Sequence, residues 1–120
     1  MPGRLVYFEI TSGDKERAKQ FWHSLFGWKF SDMEGAPLPY STFEPEGPPT
    51  GGMYQTESAD RGVRVYFDVD DIEEAADRVR ALGGEVLQDK TAVPSMGWWA
   101  SCKDTEGNEF SLWQTDESAA

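Results

Sequence analysis

"DKERAKQFWHSLFG", Asp14 to Gly27, returns 57 positions further along the chain as "DIEEAADRVRALGG", Asp71 to Gly84. Identity survives at Asp14 and Asp71, Glu16 and Glu73, Ala18 and Ala75, Leu25 and Leu82, and Gly27 and Gly84. At several of these positions a helix has specific needs. The leading Asp accepts hydrogen bonds from the first orphan N–H groups, Glu in the first turn complements the positive end of the helix dipole, and a closing Gly takes the left-handed conformation that ends a helix. Between these ends, Ala18, Phe21, Trp22, Leu25 and Phe26 fall at i, i+3, i+4, i+7 and i+8, and Ile72, Ala75, Ala76, Val79 and Leu82 nearly repeat that spacing. Each segment is expected to be a helix with one apolar face.

The repeat extends outward from the helices. An alternating strand precedes each one, "LVYFEIT" (Leu5–Thr11) and "GVRVYFDV" (Gly62–Val69), and the same offset places Tyr7 over Arg64 and Phe8 over Val65. After each helix comes a short strand, "WKFSDM" or "EVLQD", then a loop rich in Gly and Pro, then two more extended stretches. The last of these is a hairpin within "DTEGNEFSLWQT" (Asp104–Thr115) that turns at Glu106, Gly107 and Asn108. The pattern is βαβββ twice, an α+β chain with modules over 5–55 and 62–115 joined by 56–61.

Bulk properties narrow the function. A chain of 120 residues with 38% hydrophobic and 13% aromatic content is read as one folded domain. Its net charge of −11 repels phosphate backbones and anionic lipid, which disfavours nucleic acid and membrane surfaces and favours neutral or cationic small molecules. The single cysteine, Cys102, has no partner for an internal disulfide, and neither an apolar leader nor a membrane-length run is present, so a cytoplasmic protein is expected.

The helix motif "DKERAKQFWHSLFGWKF", the second-half motif "FDVDDIEEAADRVRALGGEV", the loop "VPSMGWWA" (Val93–Ala100) and "DTEGNEFSLWQ" together resemble the vicinal oxygen chelate superfamily of glyoxalase I, bleomycin resistance proteins and extradiol dioxygenases. The resemblance covers about residues 5 to 115. It implies a mixed sheet curled around one cleft with the helices outside, and a homodimer, the modules pairing either within a chain or between chains.

Period-two alternation sorts the side chains of those strands. Phe8 and Ile10 go to the helices, leaving Tyr7, Glu9 and Thr11 on the cleft face; Val65, Phe67 and Val69 leave Arg64, Tyr66 and Asp68; Phe110 and Leu112 leave Glu109, Ser111 and Trp113. Metal-dependent relatives carry His or Glu at one position on each of four strands. The resemblance puts Tyr7, Tyr54, Arg64 and Ser111 there, none of them a usual ligand, and a guanidinium repels a cation. No metal and no other cofactor is expected, and no catalytic set replaces them: His23 is read as a surface residue on its helix, apart from Cys102. The expected ligand-binding cleft is Tyr7, Glu9, Tyr54, Arg64, Tyr66, Asp68, Ser111 and Trp113, with Met96 and Trp98 on a lid loop (Pro94–Trp99).

Aromatic stacking surface with carboxylates suits a planar, cationic small molecule, held as bleomycin resistance proteins hold theirs, by sequestration. The alternative is a lyase, isomerase or dioxygenase-like enzyme using a shifted metal set or the carboxylates of Glu9 and Asp68. A regulatory module with a protein partner is the third reading. The tail "TDESAA" (Thr115–Ala120) reads as a solvated end.

Overall fold

The computed structural model describes residues 3–34, 39–43, 49–56 and 62–120. Its elements are β1 (Leu5–Ser12), α1 (Lys15–Phe26), β2 (Phe30–Asp32), β3 (Tyr40–Phe43), β4 (Thr50–Gln55), β5 (Val63–Asp68), α2 (Ile72–Ala81), β6 (Glu85–Val93), β7 (Gly97–Lys103) and β8 (Glu109–Thr115). This is βαβββ twice, in an α+β chain. Residues 57–61 of the expected junction lie outside the described residues. The chain divides into two compact units, Val6–Arg64 and Val65–Ala120, the latter taking in the described part of Met1–Leu5. Gly3 donates its N–H to the Asp68 carbonyl at 2.7 Å, and Asp68 donates to the Arg4 carbonyl at 2.8 Å. No described helix is long and apolar enough to cross a membrane.

In the first unit the strand order is β2-β3-β4-β1, with β1 parallel to β4 and the other pairs antiparallel. Helix α1 begins at Asp14, which accepts the Arg17 N–H, and ends at Gly27 with φ 75°, whose N–H donates to the His23 carbonyl. Ile10, Phe43 and Met53 form the buried centre, with Phe8, Ala18, Trp22, Trp28 and Phe30 packed on it. The rings interlock: Trp28 stacks on Trp22 at 5.2 Å and on Phe43 at 4.6 Å. The helix stripe is wider than the sheet covers, so Phe21, Leu25 and Phe26 remain more than half exposed while Ala18 and Trp22 face the core.

A polar clasp ties α1 to the strands that follow it. The Asp32 carboxylate accepts Lys15 Nζ at 3.1 Å, Lys19 Nζ at 3.3 Å and the buried Ser41 Oγ at 2.6 Å. These bonds hold its carboxyl well below the usual range, the Ser41 hydroxyl first and the two ammonium groups after it.

In the second unit the order is β5-β8-β7-β6, with β5 parallel to β8. Asp71 caps α2 by accepting both the Glu73 and Glu74 N–H groups. The positive backbone angle after this helix belongs to Gly83 (φ 94°), so the sequence reading of Gly84 as the left-handed residue was one position late. Gly84 instead donates to the Val79 carbonyl, and a Cβ there would strike the Lys103 carbonyl. Ile72, Ala100, Cys102 and Leu112 form the core, flanked by Val69, Ala75, Val79, Val86, Trp98 and Phe110.

The β6 strand runs on to Val93, so little loop separates it from β7: only the turn Pro94–Met96. The end of the chain is docked rather than solvated. Ser95 donates to the Ala119 carbonyl, Asp116 accepts the Trp98 indole N–H, and Ala119 is 4% exposed.

Candidate functional site

Each unit has one sheet face on its helix and one face turned away, and pairing register shows which residues share the second face. In the first unit Glu9 pairs with Gly52, Gly52 with Thr42, Thr11 with Tyr54, and Tyr54 with Tyr40. Tyr7, Glu9 and Tyr54 thus stand on the open face, as alternation required, while Phe8 and Ile10 join the core. Tyr40 joins them.

Tyr7 on β1 and Tyr40 on β3 reach across the intervening strand β4, and their hydroxyls meet at 2.5 Å over Gly52. Tyr40 Oη donates to Glu9 Oε2 at 2.6 Å. Its ring lies parallel to that of Tyr54, 7° between planes and 6.1 Å between centroids. The adjacent glycines of β4 divide the two faces between them. A Cβ on Gly51 would strike the Phe43 ring on the core side, and one on Gly52 would strike both tyrosine hydroxyls on the open side.

All four polar or aromatic side chains are half-buried. Burial raises both phenols, and the charge on Glu9 adds to the rise at both, while at Tyr7 the hydrogen bond to Tyr40 works against it. The phenols therefore stay protonated, and the negative charge of the cluster sits on Glu9.

The second unit builds a different open face. Register aligns Asp68, Trp113, Trp99 and Thr91 in one row, and Tyr66, Ser111, Ser101 and Gln88 in the next. Trp113 donates its indole N–H to Thr115 Oγ1 at 3.0 Å, and its ring covers Gly97. Of the expected lid residues, Met96 lies in the turn and is 54% exposed. Trp98 stands in β7 with the core, its indole bound to Asp116 at 3.0 Å and Lys90 Nζ 4.2 Å from its ring centroid. The tryptophan of that pair on the open face is Trp99. Arg64 is a half-buried residue of β5, and His23 is exposed on α1, its Nδ1 donating to the Trp28 carbonyl at 2.8 Å.

Register also corrects one position. Tyr66 pairs with Ser111, and its counterpart Glu9 pairs with Gly52, so Gly52 rather than Tyr54 occupies the place on β4 that Ser111 occupies on β8. The positions singled out by the resemblance to metal-dependent relatives thus carry a phenol at Tyr7, no side chain at Gly52 and a guanidinium at Arg64 in the first unit, and a hydroxyl at Ser111 in the second. None of these groups is a usual ligand of a divalent transition ion, which takes imidazole, thiolate or carboxylate. Among the described residues no three His, Cys, Asp or Glu side chains come together.

Residues 7–113 match the family model of the glyoxalase-like domain. A glyoxylase-like domain-containing protein of Didymella fabae is 31% identical over 118 residues, covering 92% of each chain. A putative glyoxylase of Mycobacterium bovis is 30% identical over 115 residues, and the matched region is 43% of that longer protein. Among solved structures, a hypothetical protein from Bacillus halodurans superposes with TM-score 0.76 at 15% identity, covering 98% of both chains. Methylmalonyl-CoA epimerase from Mycobacterium tuberculosis superposes with TM-score 0.71 at 14% identity, covering 95% of this chain and 88% of its own. The capped helices, the doubled βαβββ order and the match over nearly the whole length agree: the chain belongs to the glyoxalase-like domain family.

Proposed function

We propose that this protein binds a small, planar, cationic organic molecule on the open face of its first unit, by sequestration or metabolite binding and without a transition metal. The observation that carries the reading is the Glu9 carboxylate, held at 2.6 Å by Tyr40 Oη beside the parallel rings of Tyr40 and Tyr54. Aromatic surface offers stacking and cation–π attraction, and a fixed carboxylate supplies the counter-charge without having to be ordered at the moment of binding. The net charge of −11 steers cations toward the protein and anions away.

Calorimetric titration with a panel of cationic aromatic drugs tests this. Saturable binding is expected for part of the panel, weakened about tenfold by Glu9→Gln, which corresponds to about 1.4 kcal/mol. A flat response across the panel, or Glu9→Gln binding as tightly as wild type, would sink it.

The same hydrogen-bond chain favours one second reading, proton transfer on a bound ligand. Tyr7 would accept a substrate proton while its own moves to Tyr40 and that of Tyr40 to Glu9. Solvent-deuterium exchange into carbon acids flanked by carbonyl groups, dependent on the protein and lost in Glu9→Gln, is the expected signature of this chemistry.

A further inference from the structure

We infer that the Tyr7–Tyr40–Glu9 chain selects for ligands bearing an N–H or O–H donor and discriminates against equally planar, equally charged cations that have none. The inference rests on the ligand-binding role proposed for this face.

The direction of the chain follows from counting protons. A carboxylate has none to give, and each phenol has one. Tyr40 gives its proton to Glu9 Oε2 at 2.6 Å, so in the 2.5 Å contact with Tyr7 its oxygen is the acceptor, and the Tyr7 hydroxyl is the donor. Both phenolic protons are committed inward, toward Glu9. Each phenol oxygen has two lone pairs, so what the chain presents to an incoming molecule is acceptor capacity, whatever else Tyr7 and Glu9 touch.

Donation toward a charged acceptor also enriches the oxygen behind it. A hydrogen-bond chain that ends on a carboxylate polarises each member in turn, so Tyr7 Oη accepts more strongly than an isolated phenol. The arrangement is built into the sheet. Two strands that do not pair with each other contribute one tyrosine each, and their hydroxyls meet only because Gly52 between them has no side chain. Both phenols are held in the protonated form by burial and by Glu9, which keeps the polarity of the chain fixed through the neutral range.

Three probes with the same fused ring system and one charge separate donor from charge: 1-naphthylmethylammonium, its N,N-dimethyl form, which keeps a single N–H and most of the bulk, and its N,N,N-trimethyl form, which has no N–H. Calorimetric titration of the full chain is expected to show the first two binding within a few-fold of each other and the third at least tenfold more weakly. In Tyr40→Phe the chain is severed, and the ratio between the dimethyl and trimethyl probes should fall to about twofold; Tyr7→Phe, which removes the outer acceptor, should do the same.

Each result decides something. If the trimethyl probe binds as tightly as the dimethyl probe to wild type, the donor requirement is wrong while the ligand-binding reading stands. A preference that survives in both folded variants overturns the assignment to this chain. If none of the three probes binds, the inference falls. The broader drug panel then decides separately whether the ligand-binding reading falls with it. Should either variant fail to fold, the wild-type ratio and the other variant still decide.

Discussion

Helix α1 meets its sheet through Trp22, Trp28, Phe30 and Phe43, whereas α2 meets its own through Ile72, Ala100, Cys102 and Leu112. The element order is the same, and so is the N-cap residue. Yet α1 buries no residue fully and leaves Phe21, Leu25 and Phe26 more than half exposed, while α2 buries Ile72 and Ala76. The open faces differ as much: tyrosines around a carboxylate in one unit, two tryptophans beside small hydroxyl residues in the other. A backbone repeat is maintained by caps, turns and alternation, which constrain few residues. The remaining positions are free to take different chemistry, and the polar cluster arose in the unit whose strand β4 has a glycine on each face.

The sharpest way to break the comparison is to hollow out each core. Phe43 is 2% exposed and stacked on Trp28, so Phe43→Ala should cost about 3–5 kcal/mol in chemical denaturation and flatten the near-ultraviolet tryptophan dichroism. Ile72→Ala, at a residue 0% exposed in a core flanked by a single tryptophan, Trp98, should cost about 2–5 kcal/mol and change that dichroism less than Phe43→Ala does. A Phe43→Ala protein that loses less than about 1 kcal/mol would show that the aromatic cluster is not the core of the first unit.

The caps give a smaller test. Asp71 accepts two N–H groups and Asp14 one, so Asp71→Ala should be the more destabilising, each within about 0.5–2 kcal/mol. Equal losses would mean that the second bond to Asp71 adds nothing.

The smallest expected effect is electrostatic. Asp32 is bound by Lys15, Lys19 and Ser41, and at the same offset in the repeat Asp89 accepts Arg80 at 2.7 Å. Because the folded state holds the Asp32 pKa below its ordinary value, the stabilisation is complete above pH 4 or so and is lost as the pH falls through the depressed folded value. Unfolding curves of wild type and Asp32→Asn should therefore converge as acid is added below about pH 4, with wild type the more stable above it. Its exposed carboxylate makes this a modest difference, and curves that stay parallel through the acid range would remove Asp32 from the account.

Much of this was legible in the residues. Asp14, Asp71 and Gly27 mark helix ends because orphan backbone groups need an acceptor or a left-handed residue there. Tyr7, Glu9, Ser111 and Trp113 could be placed on their faces because flanking apolar residues set the phase of the strand. Tyr40 and Trp99 were missed, although each had a signal. Phe43 sets the phase that puts Tyr40 and Thr42 on the open face, and Ala100 and Cys102 set the phase that separates Trp99 from the buried Trp98. The signal for Tyr40 sits in a four-residue strand beside Pro39, where the period-two pattern is too brief to read alone, and that for Trp99 sits at the start of a strand beside Pro94 and Gly97, in a stretch whose turn residues read as a loop.

By itself the sequence determined local geometry: two capped helices, their place in a doubled βαβββ order, and which side of each longer strand a residue takes. Those follow from nearest-neighbour sterics and the helix and strand periods, which act over a few residues. Tertiary structure decided the rest. It set the register that makes Gly52 the counterpart of Ser111, brought Tyr40 against Glu9 and Tyr7, and docked the tail through Asp116 and Ala119. Such pairings join residues tens of positions apart, where which strands lie side by side, and not the local pattern, fixes what meets.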